Sequence, residues 1–215
     1  PMNLSIMYED THILVLNKPA GLLMHPTSTE RLSTLANGVL HYFQHTNPQA
    51  SFHPIHRLDK DTSGLVIIAK NALVQHAFTK QKEPIQKVYD AITDGIIPSD
   101  ALSIHYPISR REGSIIERCA SCDGQPAHTD ITVLARYSHH THVRCYLHTG
   151  RTHQIRVHLS TLGYPLAGDD LYGGSLTWRS QQCLHASTLS FLHPMTNQWI
   201  TLEAPLPEYF HHIPK

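Results

Sequence analysis

Residues 54–70 place the tightest limit on what this chain can fold into. Pro54-Ile55-His56-Arg57-Leu58-Asp59-Lys60 leads through the turn signal Asp61-Thr62-Ser63-Gly64 into the apolar run Leu65-Val66-Ile67-Ile68-Ala69. A short, β-branched, unbroken apolar run bounded by turn residues reads as a buried strand. That strand fixes the end of a polar loop carrying Arg57 and Asp59. A rigid element beneath a charged loop is the usual mount for chemistry.

The rest of the chain adds many strand signals and few helices. Residues 4–8, 13–16, 87–92, 128–137, 142–147, 184–192 and 199–202 read as strands. Leu32, Leu35, Ala36, Val39, Leu40 and Phe43 recur at helical spacing, predicting a helix over 31–44. A second helix follows Ala72 and stops near Pro84. A third follows the turn Thr149-Gly150-Arg151-Thr152, with Ile155, Leu159 and Leu162 as its stripe, Thr152 as its cap and Gly163 as its end. Residues 98–126 read as irregular, with Arg110-Arg111 and Gly113 in an exposed hairpin or loop. Strands and helices that do not alternate strictly point to an α+β fold with a mixed, largely antiparallel sheet. The length of 215 residues suits a single domain spanning 1–215.

Composition excludes several classes. No apolar run reaches membrane-spanning length and no signal-peptide pattern opens the chain, so a soluble, cytoplasmic protein is expected. Cys119 and Cys122 form one CxxC, while Cys145 and Cys183 stand apart, so neither a disulfide framework nor a zinc ribbon is indicated. The 19 histidines include His139-His140-Thr141-His142, but no spacing of the metalloprotease kind, and they read as surface or packing residues. Net charge is +0, yet Ile131–Gly168 holds no acid and carries Arg136, Arg144, Arg151 and Arg156. A local basic stripe of this kind suits phosphates, or is a solvated face.

Three islands carry reactive side chains. Asp59 can serve as nucleophile, general base or metal ligand, and in isolation as a turn or capping residue. Lys87-Val88-Tyr89 lies on a strand. Gly150-Arg151-Thr152-His153-Gln154-Ile155-Arg156-Val157-His158 puts Arg151, His153 and Arg156 in the first turns of a helix. Arg156, beside the apolar stripe, can reach inward to a carboxylate and lower its pKa, or belong to a phosphate-binding or solvated helix start.

Taken in order, these islands resemble the RluA-type family of RNA pseudouridine synthases. Asn17-Lys18-Pro19-Ala20-Gly21 is similar to the family's opening motif. Gly163-Tyr164-Pro165-Leu166-Ala167-Gly168-Asp169 and Leu184-His185-Ala186 are similar to its later segments. The resemblance implies a catalytic domain with a sheet flanked by helices and a central RNA-binding cleft. It implies isomerisation of uridine to pseudouridine without metal or organic cofactor. By resemblance Asp59 starts the reaction, Arg156 is its ion-pair partner and Tyr89 stacks on the target base. Ile155 walls the pocket, Arg57 enters the helix stack left by the flipped uridine, and His56, Arg151 and Gln154 help bind substrate. The implied partner is structured RNA, either large-subunit ribosomal RNA or tRNA, with no membrane and a monomeric enzyme. Many relatives carry an S4 RNA-binding module, which in this chain falls upstream of Pro1 if present. Loops 24–31 and 98–126 are where choice of RNA is expected. A non-catalytic RNA-binding relative and a metal-dependent hydrolase are the alternatives.

Overall fold

A computed structural model describes residues 2–214. The first elements are β1 (Ile6–Glu9), β2 (Ile13–Lys18), α1 (Leu35–Thr46), β3 (His53–Pro54), β4 (Ser63–Ala69) and α2 (Ala72–Lys80). Next come β5 (Gln86–Asp94), β6 (Ala101–Ile104), β7 (Ile108–Arg110), β8 (Arg118–Ala120), β9 (Thr129–Arg136), β10 (His140–Leu147) and α3 (Gln154–Thr161). Last are β11 (Leu184–Leu192) and β12 (Trp199–Glu203). They form two compact units, the first reaching to Ile85 with Ala186–Ala204, the second Gln86–His185 with the residues from Pro205 on. Mostly antiparallel pairing with a few helices makes the protein α+β, as the residue pattern predicts. No helix among the described residues is long and apolar enough to cross a membrane.

In the first unit β2 runs antiparallel to both β1 and β4, and β3 also pairs with β4. β4 is buried at every position, which is why its sequence is an unbroken apolar run rather than an alternating one. Side chains two apart share a face. Leu65, Ile67 and Ala69 therefore join Ile13 and Val15 of β2, Leu189 and Phe191 of β11, and Val74 and Phe78 of α2 in one cluster. Each large side chain buried there contributes about 1.5–3 kcal/mol. Asn71 starts α2 by accepting the Val74 N–H at 2.9 Å. α1 begins later than its periodicity predicts. Thr34 and Asn37 form a reciprocal capping box, and before it the Glu30 carboxylate binds the N–H groups of Leu32 and Ser33 in a turn. Leu32, counted into the apolar stripe, is 84% exposed in consequence.

In the second unit β10 is antiparallel to β5 and to β9, and β9 to β6. The stretch expected to be irregular contains β6 and the β7–β8 hairpin. These strands have only three or four residues, too few to show alternation. The hairpin does carry Arg110, Arg111 and Gly113 at its turn end, as anticipated. α3 starts at Gln154, so Arg151 lies in the preceding turn and not in the helix. Thr152 is not its cap. His153 takes that position in the left-handed region at φ 58° and makes no side-chain capping bond. Gly163 ends the helix segment at φ 85°, where its N–H donates to the Ser160 carbonyl.

Candidate active site

The Asp59 loop is held from three directions inside the first unit. Leu58 is buried beneath it, and the Thr62 N–H donates to the Asp59 carbonyl at 3.2 Å. Upstream, the Ile55 N–H donates to Ile67 of β4, and the Ile67 N–H reaches the His56 ring nitrogen Nε2 at 3.3 Å. His56 thus anchors the loop by accepting a strand N–H, while Arg57 points its exposed side chain outward. The Arg57 charge and burial together hold His25, in the 24–31 loop, below the usual histidine range, burial being the larger cause.

The third hold is Lys18, at the end of β2 and fully buried. Its ammonium donates to the carbonyls of Pro19 at 2.9 Å, Leu22 at 2.8 Å and Lys60 at 2.9 Å. Those three acceptors use all three ammonium protons. Burial lowers its pKa to about 8, against the opposing pull of the Asp61 and Asp59 carboxylates. Lys18 therefore ties the opening motif to the residue that follows Asp59.

In the second unit the other two islands meet. Lys87 on β5 brings its Nζ to 3.1 Å from where a Cβ on Gly150 would stand, so a side chain at 150 would crowd it. Burial lowers the Lys87 pKa. Gln154, almost wholly buried, makes four hydrogen bonds. Its Oε1 accepts from Thr149 Oγ1 at 2.7 Å and the Arg151 N–H at 2.9 Å. Its Nε2 donates to the His128 carbonyl at 3.0 Å and Thr129 Oγ1 at 2.9 Å. That is the full capacity of an amide side chain. Thr129 Oγ1 in turn lies 2.9 Å from Nδ1 of buried His158, whose Nε2 is 2.9 Å from the Tyr106 carbonyl. The carbonyl requires Nε2–H, so Nδ1 accepts the threonine proton. Burial holds His158 below the usual histidine range, which favours this neutral form.

Arg156 projects from the third position of α3 into the buried interior. It grips Asp169 bidentately, Nε to Oδ2 at 2.7 Å and the guanidinium NH2 to Oδ1 at 2.8 Å. Its Cζ lies 4.8 Å from the centre of the Tyr172 ring. The Tyr172 hydroxyl is itself bonded to His153 Nδ1 at 2.7 Å and to the Arg118 N–H at 2.9 Å. A planar cation set between a carboxylate and a ring face has one orientation. Ile155 beside it is buried, and Arg151 extends outward, Nε on the Pro126 carbonyl at 2.9 Å. Tyr89 lies on β5 opposite Cys145, next to Asp90, whose fully buried carboxylate pairs with Arg144 and with His142 at 2.8 Å.

The sequence profile described as RNA pseudouridylate synthase matches residues 12–161. The chain belongs to the RNA pseudouridylate synthase family. It is 41% identical to the Bacillus subtilis protein named uncharacterized RNA pseudouridine synthase YlyB, over 97% of this chain and 71% of that one. It is equally 41% identical to ribosomal large subunit pseudouridine synthase D of Pseudomonas aeruginosa, covering 97% of this chain and 70% of that one. Among solved structures, human RNA pseudouridylate synthase domain containing 1 superposes with a TM-score of 0.78 at 28% identity, over 95% of this chain and 84% of that chain. The activity is accordingly that of an RNA pseudouridine synthase, an isomerase.

The structure brings into contact several side chains to which sequence reasoning assigns no role. Lys18 lay in the opening motif, but its triple carbonyl contact needs the loop geometry to be seen. Asp169 closed a recognised segment, yet nothing in its spacing marks it as the clamp on Arg156. Tyr172 and Asp90 carried no signal at all. A direct check on the Lys18 knot is Lys18→Met, which leaves three carbonyls without their donor. It should cost about 1–3 kcal/mol in urea unfolding and lower the turnover of RNA more than its binding.

Proposed function

We propose that this enzyme converts uridine in structured RNA to pseudouridine, with Asp59 starting the reaction. Large-subunit ribosomal RNA is the substrate that we infer. The support is the ordered set of motifs, together with relatives from Pseudomonas aeruginosa and Neisseria meningitidis named for the ribosomal large subunit. Ribosomal RNA as substrate sets the work in the cytoplasm. The observation that carries the reading is the mounting of Asp59, a carboxylate on a loop whose backbone is tied to β4 and to Lys18.

The chemistry asks for little beyond positioned side chains. The bond from C1′ to N1 breaks, the uracil turns, C1′ joins C5, and the C5 proton leaves to water while N1 gains one. Uracil must first leave its stack, which costs a few kcal/mol. Arg57, exposed at the loop tip, recovers part of that by stacking and phosphate contact. Tyr89 offers a ring face to the extruded base, worth about 1–3 kcal/mol, and Ile155 lines the pocket that keeps the free uracil in place. Arg156, its orientation set by Asp169 and Tyr172, is the cation that steadies the Asp59 carboxylate. His56 and Gln154 serve by fixing backbone, and Arg151 by meeting phosphate.

RNA labelled with tritium at uracil C5 tests this. The wild-type enzyme should release label to water from large-subunit ribosomal RNA, undiminished in EDTA. Release from tRNA alone would overturn the ribosomal assignment, and no release from either would overturn the reading as a whole.

A further inference from the structure

Away from the family motifs, the β6, β9 and β10 strands of the second unit carry a second concentration of donor atoms. On β9 and the residue before it, His128 and Asp130 share one face by strand alternation. Asp130 pairs across the sheet with Ser103 of β6 and with Tyr146 of β10, two residues before His148. Register therefore gathers His128, Asp130, His148, Ser103 and His105. His128 Nε2 is 3.0 Å from Asp130 Oδ1, and His148 Nε2 is 2.7 Å from Asp130 Oδ2.

We propose that His128, Asp130 and His148 form a binding site for a zinc-class divalent transition-metal ion. Their ligand atoms all lie within 4.8 Å of one another. A tetrahedral zinc site spaces its ligand atoms about 3.3 Å apart, so the observed separations already bracket what an ion needs. Two imidazoles and one carboxylate match zinc, cobalt or nickel. Magnesium and calcium prefer oxygen alone. The ligands are also steadied from behind. Ser103 Oγ donates to Asp130 Oδ1 at 2.6 Å, and the serine and histidine hydrogen bonds hold that carboxyl well below the usual range. The His128 ring is sandwiched between His105 and His148, with centroids 4.0 Å away on each side. Its backbone is pinned by Thr149 Oγ1 at 2.9 Å and by Gln154. Such outer contacts orient ligands.

Half of the His148 side chain and two-fifths of that of Asp130 are accessible, so an ion can enter from solvent. Binding moves the imidazole protons from Nε2 to Nδ1 and involves no electron transfer. The proposal does not rest on the uridine chemistry.

The test is titration of the untagged, metal-stripped full chain with Co2+, read by visible d–d absorption and by displacement with Zn2+. One Co2+ per chain should bind and be discharged by Zn2+. His148→Ala and Asp130→Asn should each weaken binding at least about 10-fold, with circular dichroism unchanged because His148 is exposed and Asp130, only half-buried, changes little in shape. His41 and His45 on α1, with ring centroids 4.7 Å apart, are a rival chelating pair. His41→Ala should leave the titration as it was. The proposal fails if no saturable signal develops, if His148→Ala titrates like the parent, or if His41→Ala abolishes binding.

Discussion

Asp59→Asn should release no measurable tritium from uracil C5 while binding RNA as the parent does. The change is nearly isosteric and removes only the charge and the basicity of the carboxylate. Three supports of the loop act through its backbone and its buried leucine. Leu58 remains buried, the Thr62 N–H still meets the backbone carbonyl of residue 59, and Lys18 still holds the Lys60 carbonyl. A fall in turnover of about 10^4-fold or more is the scale seen when a group that acts covalently or as a proton acceptor is removed. Filter binding and circular dichroism on the same preparation separate lost chemistry from lost fold. Full turnover by this variant would refute the role of Asp59, whichever atom of the nucleotide it addresses.

The second large effect is on stability. Gly64→Ala should lower the melting temperature by about 10 °C and take activity with it. Gly64, the second residue of β4, has φ +112°, in a region that side chains avoid. A Cβ there would collide with the Ala186 carbonyl oxygen and stand 2.5 Å from its nitrogen and 2.7 Å from its carbonyl carbon. All three atoms are backbone, so no flexible side chain can yield, and β4 must move from β11. Strain and displaced packing together come to about 3 kcal/mol or more, and at this chain length each kcal/mol shifts the melting point by about 2–4 °C. Gly113→Ala is the internal comparison. Gly113 also has positive φ, at +76°, but nothing lies within 4 Å of its missing Cβ. Its alanine variant should lose only about 1 kcal/mol. Equal shifts at the two positions would show that backbone angle, and not the approach to Ala186, sets the cost.

What could be read from residues alone followed the range of the forces involved. β4 is legible because burial on both faces leaves an unbroken apolar run, and β11 because Leu189 and Phe191 alternate with half-buried neighbours. α1 starts later than periodicity predicts, since Glu30 and the Thr34–Asn37 box act through single side chains that periodicity ignores. Residue type makes Thr152 the expected cap, but the Gln154 amide already binds the nearby backbone, and His153 assumes the left-handed turn. β6, β7 and β8 are too short to alternate. For the site, motif order carried Asp59, Tyr89 and Arg156 forward as candidates. Asp169 and Tyr172 lie on a segment that only tertiary folding brings to Arg156. The His128, Asp130 and His148 group was invisible for the same reason, since its ligands come from two strands whose register no spacing rule supplies.

The Lys18 knot has a further consequence for how this loop can vary. Its acceptors are main-chain carbonyls of residues 19, 22 and 60. Any amino acid presents such a carbonyl, so the knot is blind to the side chains at 22 and 60 and tolerant of their replacement. It is intolerant of a change in length, because one inserted residue carries a carbonyl out of reach. Around the reactive carboxylate, the chain is therefore free to drift in letters but not in count.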